Sequence, residues 1–174
     1  MSIDQTVIIR PEQVGDERAI FDLTLEAFEP MPFSDGAEPL IIDGLRKNGD
    51  LVVSLVAVDQ AEIVGHVAFS PVTLNGNPGS WFGLGPLSVR IDRQKTGIGS
   101  QLVKRGLAEI KKRGAVGCAL IGDPAYYGRF GFQSDGELTY GDVPAQYVQW
   151  LSFGAERARG VLKYAPAFDV EGTS

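Results

Sequence analysis

A single cysteine, a single histidine and no long apolar run set the first limits on this chain of 174 residues. One thiol, Cys118, cannot close an internal disulfide, and its setting Val116-Gly117-Cys118-Ala119-Leu120-Ile121 is that of a buried strand rather than of a nucleophile. No stretch reaches the roughly 18 uninterrupted apolar residues of a membrane span. The opening MSIDQTVIIRPEQ also lacks a basic region followed by an apolar one. Neither a span nor a signal peptide is expected, and the protein is placed in the cytoplasm. Internal repeats and low-complexity tracts are missing as well. So is any excess of positive charge: Lys and Arg number 16 against 22 Asp and Glu, a net charge of −6 that argues against a general nucleic-acid binder.

What is present suffices for one domain, residues 1–174, since 44% of the residues are apolar and can bury a sizeable core. Residues 7–10 read as a first strand, and a helical pattern carrying Val14, Ile20, Leu23, Leu25 and Phe28 follows. The prolines Pro30 and Pro32 stop it, leaving residues 30–36 as a loop. A second helix spans residues 38–47, with Asn48-Gly49 as its stop. β-Branched alternation then gives strands at 51–58 and 62–73, and Asn75-Gly76-Asn77-Pro78-Gly79 is a turn before a third strand at about 81–91. Gly83, Gly85 and Pro86 interrupt that strand and imply a bulge or splay. Residues 98–112 form the clearest helix, with Ile98, Leu102, Val103, Leu107 and Ile110 on one stripe and Gly114 at its end. A strand at 116–121 buried on both faces, a short helix holding Tyr126 and Tyr127, closing strands at 148–153 and 161–164, and a loose tail at 171–174 complete the order. The result is an α/β domain around a mixed sheet.

The chemistry is concentrated where a strand hands over to the strongest helix. At Gly97-Ile98-Gly99 the first-turn N–H groups lack intrahelical partners and the helix dipole adds positive potential, which suits a phosphate. Gln94 adds a neutral donor, and Arg93 and Lys95 add charge. A second basic group, Lys104, Arg105, Lys111, Lys112 and Arg113, reads as a solvated helix face. Ser100-Gln101 after Gly99 excludes a P-loop, and Leu102 stands where a dinucleotide fingerprint needs Gly or Ala.

Gln94-Lys95-Thr96-Gly97-Ile98-Gly99 matches the Gln/Arg-x-x-Gly-x-Gly/Ala pattern of the GNAT superfamily of N-acetyltransferases. Tyr126-Tyr127-Gly128-Arg129-Phe130-Gly131-Phe132 resembles that family's later aromatic segment. The likeness covers roughly residues 6–135, with closing strands at about 145–168. It implies a mixed, mostly antiparallel sheet with a splayed parallel pair and helices on both faces. It also implies acetyl-CoA as acetyl donor, with the pyrophosphate on the amides from Gln94 through Ser100, including Ile98 and Gly99. Leu87, Ser88 and Val89 would contact the pantetheine arm and thioester, and Phe130 would border the cofactor. Tyr127 would protonate the departing thiolate, acting as catalyst and cofactor contact at once. The attacking amine needs a base, for which Glu26, His66 and Asp123 are candidates, Glu26 being the one carried forward. No metal is implied. The acceptor is a small-molecule or peptide amine, bordered by Met31 and Phe33 of the loop; no nucleic acid and no membrane is expected, and a homodimer is compatible. The rival reading is a non-catalytic acyl-CoA-binding regulatory module.

Overall fold

The computed structural model describes residues 6–170, so the tail expected at 171–174 lies outside the described residues. In chain order the elements are β1 (Ile8–Pro11), α1 (Glu17–Phe28), α2 (Glu38–Asn48), β2 (Val53–Asp59), β3 (Glu62–Leu74), β4 (Asn77–Val89), α3 (Ile98–Lys112), β5 (Gly117–Ile121), α4 (Pro124–Tyr127), β6 (Leu138–Thr139), β7 (Val148–Ser152) and β8 (Gly160–Lys163). The sheet runs β1-β2-β3-β4-β5-β7, and β8 attaches to the far end of β3 and to β6. Along the main path every neighbouring pair is antiparallel except β4 with β5.

Three expectations shift. Val14 is fully exposed ahead of α1, because Gly15 takes φ 104° and the helix starts only at Glu17. β4 begins at Asn77 rather than near Trp81: Asn75 and Gly76, at φ 53° and 75°, make a two-residue turn that pairs Leu74 with Asn77 and Thr73 with Pro78. Ile91 lies past the strand in a single 3-10 turn and is exposed. The two-residue β6 and a 3-10 turn at Pro166–Asp169 were not expected, being too short to show a period.

Strand alternation sorts the side chains by face. Val67 and Phe69 of β3 and Leu55 of β2 pack with Ile98, Leu102, Val103 and Ile110 of α3. Each such fully buried large side chain contributes about 1.5–3 kcal/mol. Gly106 permits the close approach, since a Cβ there would fall 2.1 Å from Phe69 Cε1. On the opposite face Val56 packs with Ile20 of α1 and Ile42 of α2.

The parallel pairing of β4 with β5 ends early, at Trp81–Gly117, Phe82–Cys118 and Gly83–Ala119. Across β3, Val67 faces Leu87 but Phe69 faces Leu84, so Gly85 and Pro86 both stand opposite Ala68. This extra residue is a bulge that bends β4 away from β5. β5 stays with β7 through Ile121 and Val148. A V-shaped opening results, with the rest of β4 along one arm.

Candidate functional site

The opening leads into a cleft of about 920 Å³ lined by β4, the start of α3 and α4. Leu87 and Val89 line it, whereas the Ser88 side chain is buried toward the α1 side. Backbone hydrogen bonding follows the same alternation. The Arg90 N–H donates to Val64 of β3, so in an antiparallel ladder Ser88 also turns to β3, and the amides of Leu87 and Val89 turn to the cleft. Of the three expected contacts, Ser88 is thus the one whose backbone amide the strand itself uses.

At the far end of the cleft the chain rises into α3. Lys95 at φ 63° and Gly97 at φ 96° fold the loop back on itself. The first intrahelical bond runs from Gln101 N–H to Gly97 O, so the amides of Ile98, Gly99 and Ser100 have no helical acceptor. Gly97, Gly99 and Ser100 line the cleft; Ile98 offers only its backbone, because its side chain lies in the core. A Cβ on Gly99 would stand 2.9 Å from the Tyr126 hydroxyl.

The charge differs from the expectation. Arg93 is drawn off by Asp59 at 2.8 Å, and Arg90 by Asp92 and Glu62. Lys95 stays at the cleft and is joined there by Arg129 and by Lys104, which borders the cleft while remaining exposed on its helix face. Gln94 spends a side-chain N–H on Val89 O at 3.1 Å, and Thr96 donates to Arg93 O. Thr96 shapes the loop and is not among the cleft residues.

Tyr127 also lines the cleft. Its ring covers Gly122, where a Cβ would fall 2.6 Å from Tyr127 Cε2. Tyr126 and Phe132 hold it edge-on at centroid distances of 4.9 and 6.0 Å. Burial pushes the Tyr127 hydroxyl well above the ordinary tyrosine range, with Tyr126 and Cys118 adding to the effect, so it stays protonated. Phe130 packs on Tyr126 and Tyr127 and against the core rather than lining the cleft. Burial likewise pushes the Cys118 thiol up, leaving it inert.

The base candidates separate clearly. Glu26 is exposed on α1 and is not among the cleft residues. Asp123 lines the cleft, and its Oδ1 accepts from Ala125 N–H as the cap of α4. His66 is buried under α1 and α2, with Nε2 2.7 Å from Ser54 Oγ. Ser54 has one proton and gives it to Glu12 Oε1, also at 2.7 Å, so His66 carries its proton on Nε2. Arg46 closes the chain on Glu12 at 2.9 Å.

Burial pushes His66 down to about 4, Glu12 opposing and Arg46 assisting. This gives a prediction. A free histidine binds a proton below about 6.5 whereas the buried one does not until about 4, so protons favour the unfolded chain in that window. Stability should be level above pH 6.5 and fall by about 2–3 kcal/mol by pH 4.5, at ~1.36 kcal/mol per pH unit. Denaturant unfolding at pH 7 and 4.5 checks it; a flat response would show that His66 is protonated in the fold.

Residues 9–134 match the acetyltransferase (GNAT) domain family. Over 110 residues the chain is 37% identical to the N-acetyltransferase YhbS of Escherichia coli K12, a match that covers 63% of this chain and 66%, just under two thirds, of that protein. Among solved structures it is similar to a GNAT family acetyltransferase from Brucella melitensis in complex with acetyl-CoA, with 40% identity and a TM-score of 0.86 over 95% of this chain and all of that one. It is also similar to YhbS from Escherichia coli in complex with CoA, with 29% identity and a TM-score of 0.87 over 99% and 97% of the two chains.

Proposed function

The chain belongs to the GNAT acetyltransferase family, and from that premise we propose that it binds acetyl-CoA in the α3 cleft and transfers the acetyl group directly to an amine. The observation that carries this reading is the continuity of unspent backbone donors. They run from Leu87 and Val89 on the parted edge of β4 to Gly97, Gly99 and Ser100 at the start of α3. The residues fit the donor molecule: a narrow arm meets a strand edge, and a pyrophosphate meets helix amides flanked by Lys95, Lys104 and Arg129.

Acetyl-CoA supplies an acetyl group already activated as a thioester. The chain's own residues do the rest. An amide of Leu87 or Val89 is placed to donate to the carbonyl oxygen, where negative charge develops. Tyr127 holds its proton at the cleft for the departing sulfur. Cys118 is buried and inert, so the amine attacks the acetyl carbon itself, without an enzyme-bound acetyl. No helix among the described residues is long and apolar enough to cross a membrane. We place the protein in the cytoplasm, as a single acetyltransferase domain.

Acetyl-CoA at about 100 times its Kd should stabilise the fold by about 2.7 kcal/mol. For a chain of this size that is a Tm rise of roughly 5–10 °C. Free-thiol release should follow on adding a suitable primary amine. No rise in Tm would remove the cofactor reading; a rise without thiol release across a broad amine panel would leave a regulatory acyl-CoA-binding module.

A further inference from the structure

The splay has a second face, turned away from α3, and it is built from aromatic rings. Tyr164, the residue after β8, lays its ring on Gly83, the last β4 residue paired with β5; a Cβ on Gly83 would stand 2.9 Å from Tyr164 Cε1. Its hydroxyl is within reach of the backbone of Ile121, at the end of β5. Tyr164 therefore touches both arms of the V from one side, while Tyr127 reaches Gly122 from the other.

A row of rings continues from there. Tyr164 lies 4.5 Å from Phe168 at 31°, and 5.5 Å from Tyr140 at 83°. All three are partly exposed. Phe168 packs with Ala37, Ile41 and Leu45 of the α2 region, which brings the row up to the loop at residues 30–36, whose Met31 lines the cleft. Burial pushes the Tyr164 hydroxyl well above its ordinary range, with the Cys118 thiol and the Tyr140 and Tyr127 phenols adding to the effect. A polyamine or a lysine-rich peptide needs carboxylates to replace its hydration. A flat ring needs π faces, and those are what this wall offers.

We propose that Tyr164, with Phe168 and Tyr140, forms the acceptor wall of the splay, and that the acceptor is a primary amine carried on an aromatic body. Tyr164 is a positioning residue: it holds the ring of the acceptor so that the amine meets the opening between Gly83 and Ile121. The inference rests on the acetyl-transfer reading above.

The test is steady-state kinetics with 2-phenylethylamine and spermidine as acceptors, on the unmodified chain and on two variants. The aromatic amine should have a kcat/KM at least about tenfold above spermidine, roughly the worth of one good ring contact. Tyr164→Leu should raise the 2-phenylethylamine KM about tenfold and leave the acetyl-CoA KM unchanged, while Tyr164→Phe, which keeps the ring, should stay within about threefold. Should Tyr164→Leu fail to fold, the unmodified protein still decides. N,N-dimethyl-2-phenylethylamine cannot be acetylated to a neutral amide and should inhibit competitively against the acceptor but not against acetyl-CoA. Equal or better use of spermidine, a Tyr164→Leu effect shared equally by acetyl-CoA, or inhibition competitive with acetyl-CoA would each overturn the proposal while leaving acetyl transfer intact. Failure of acetyl-CoA to bind at all would instead remove the reading beneath it.

Discussion

Gly99→Glu should weaken acetyl-CoA binding by more than about 100-fold, a loss of roughly 3 kcal/mol. Two effects add. A side chain at Gly99 enters the cleft toward the Tyr126 hydroxyl, 2.9 Å from where its Cβ would stand. The carboxylate also meets the free amides at the start of α3, satisfying them from within the chain and repelling a pyrophosphate. Gly99 lies inside α3 and is not among the positive-φ glycines, so the backbone accepts the change. The unliganded Tm should therefore stay close to that of the parent, which separates a blocked site from a damaged fold. Calorimetric titration with acetyl-CoA gives the answer, and an affinity within threefold of the parent would contradict the placement of the pyrophosphate.

Tyr127→Phe should lower the rate of the chemical step by about 100-fold or more, the usual scale for removing a positioned proton donor. The acetyl-CoA KM should hardly move, because the ring keeps its seat on Gly122 between Tyr126 and Phe132. Burial holds the Tyr127 hydroxyl above the ordinary phenol range, so the parent enzyme should show no loss of rate from phenol ionisation between pH 7 and 10. Single-turnover measurement is the right probe, since product release can mask chemistry in kcat. An unchanged single-turnover rate in the variant would remove the proton-donor role.

The parts of the site that could be read from sequence are those built from neighbours in the chain. Gly97-Ile98-Gly99 followed by the apolar stripe of α3 announces a helix start with free amides, and Gly85-Pro86 announces a strand that cannot continue its ladder unbroken. Both signals are local. What stayed hidden depends on contacts between distant segments. Arg93 sits beside the glycine turn in sequence, but Asp59 at the β2–β3 turn captures it across 34 residues. Lys104 is exposed like the other helix lysines, and it borders the cleft only because α4 folds over to form the other wall. Ser88 and its neighbours differ only by the alternation of one strand, which needs the register with β3 to resolve. Tyr164 and Phe168 fall in a stretch with little periodicity, and only the return of β8 to the end of β3 brings Tyr164 onto Gly83. Glu26 was attractive for its place just before the proline-rich loop, yet the buried side of α1 is the one bearing Leu23, Thr24 and Ala27.

The missing side chain at Gly106 has a consequence for how such a protein could change over time. With nothing between α3 and Phe69, the donor half of the cleft is mounted on the part of the molecule expected to open last, and the hydrogen-bonded amides of β3 and of the body of α3 should be among the slowest to exchange with solvent, whereas the free amides that face the cleft exchange readily. The opposite half is carried by a loop, a 3-10 turn and the residue after a short edge strand, none of which the sheet needs in order to close. Substitutions and insertions there can alter which amine enters while the grip on the donor persists, so diversification of acceptors costs this architecture little stability.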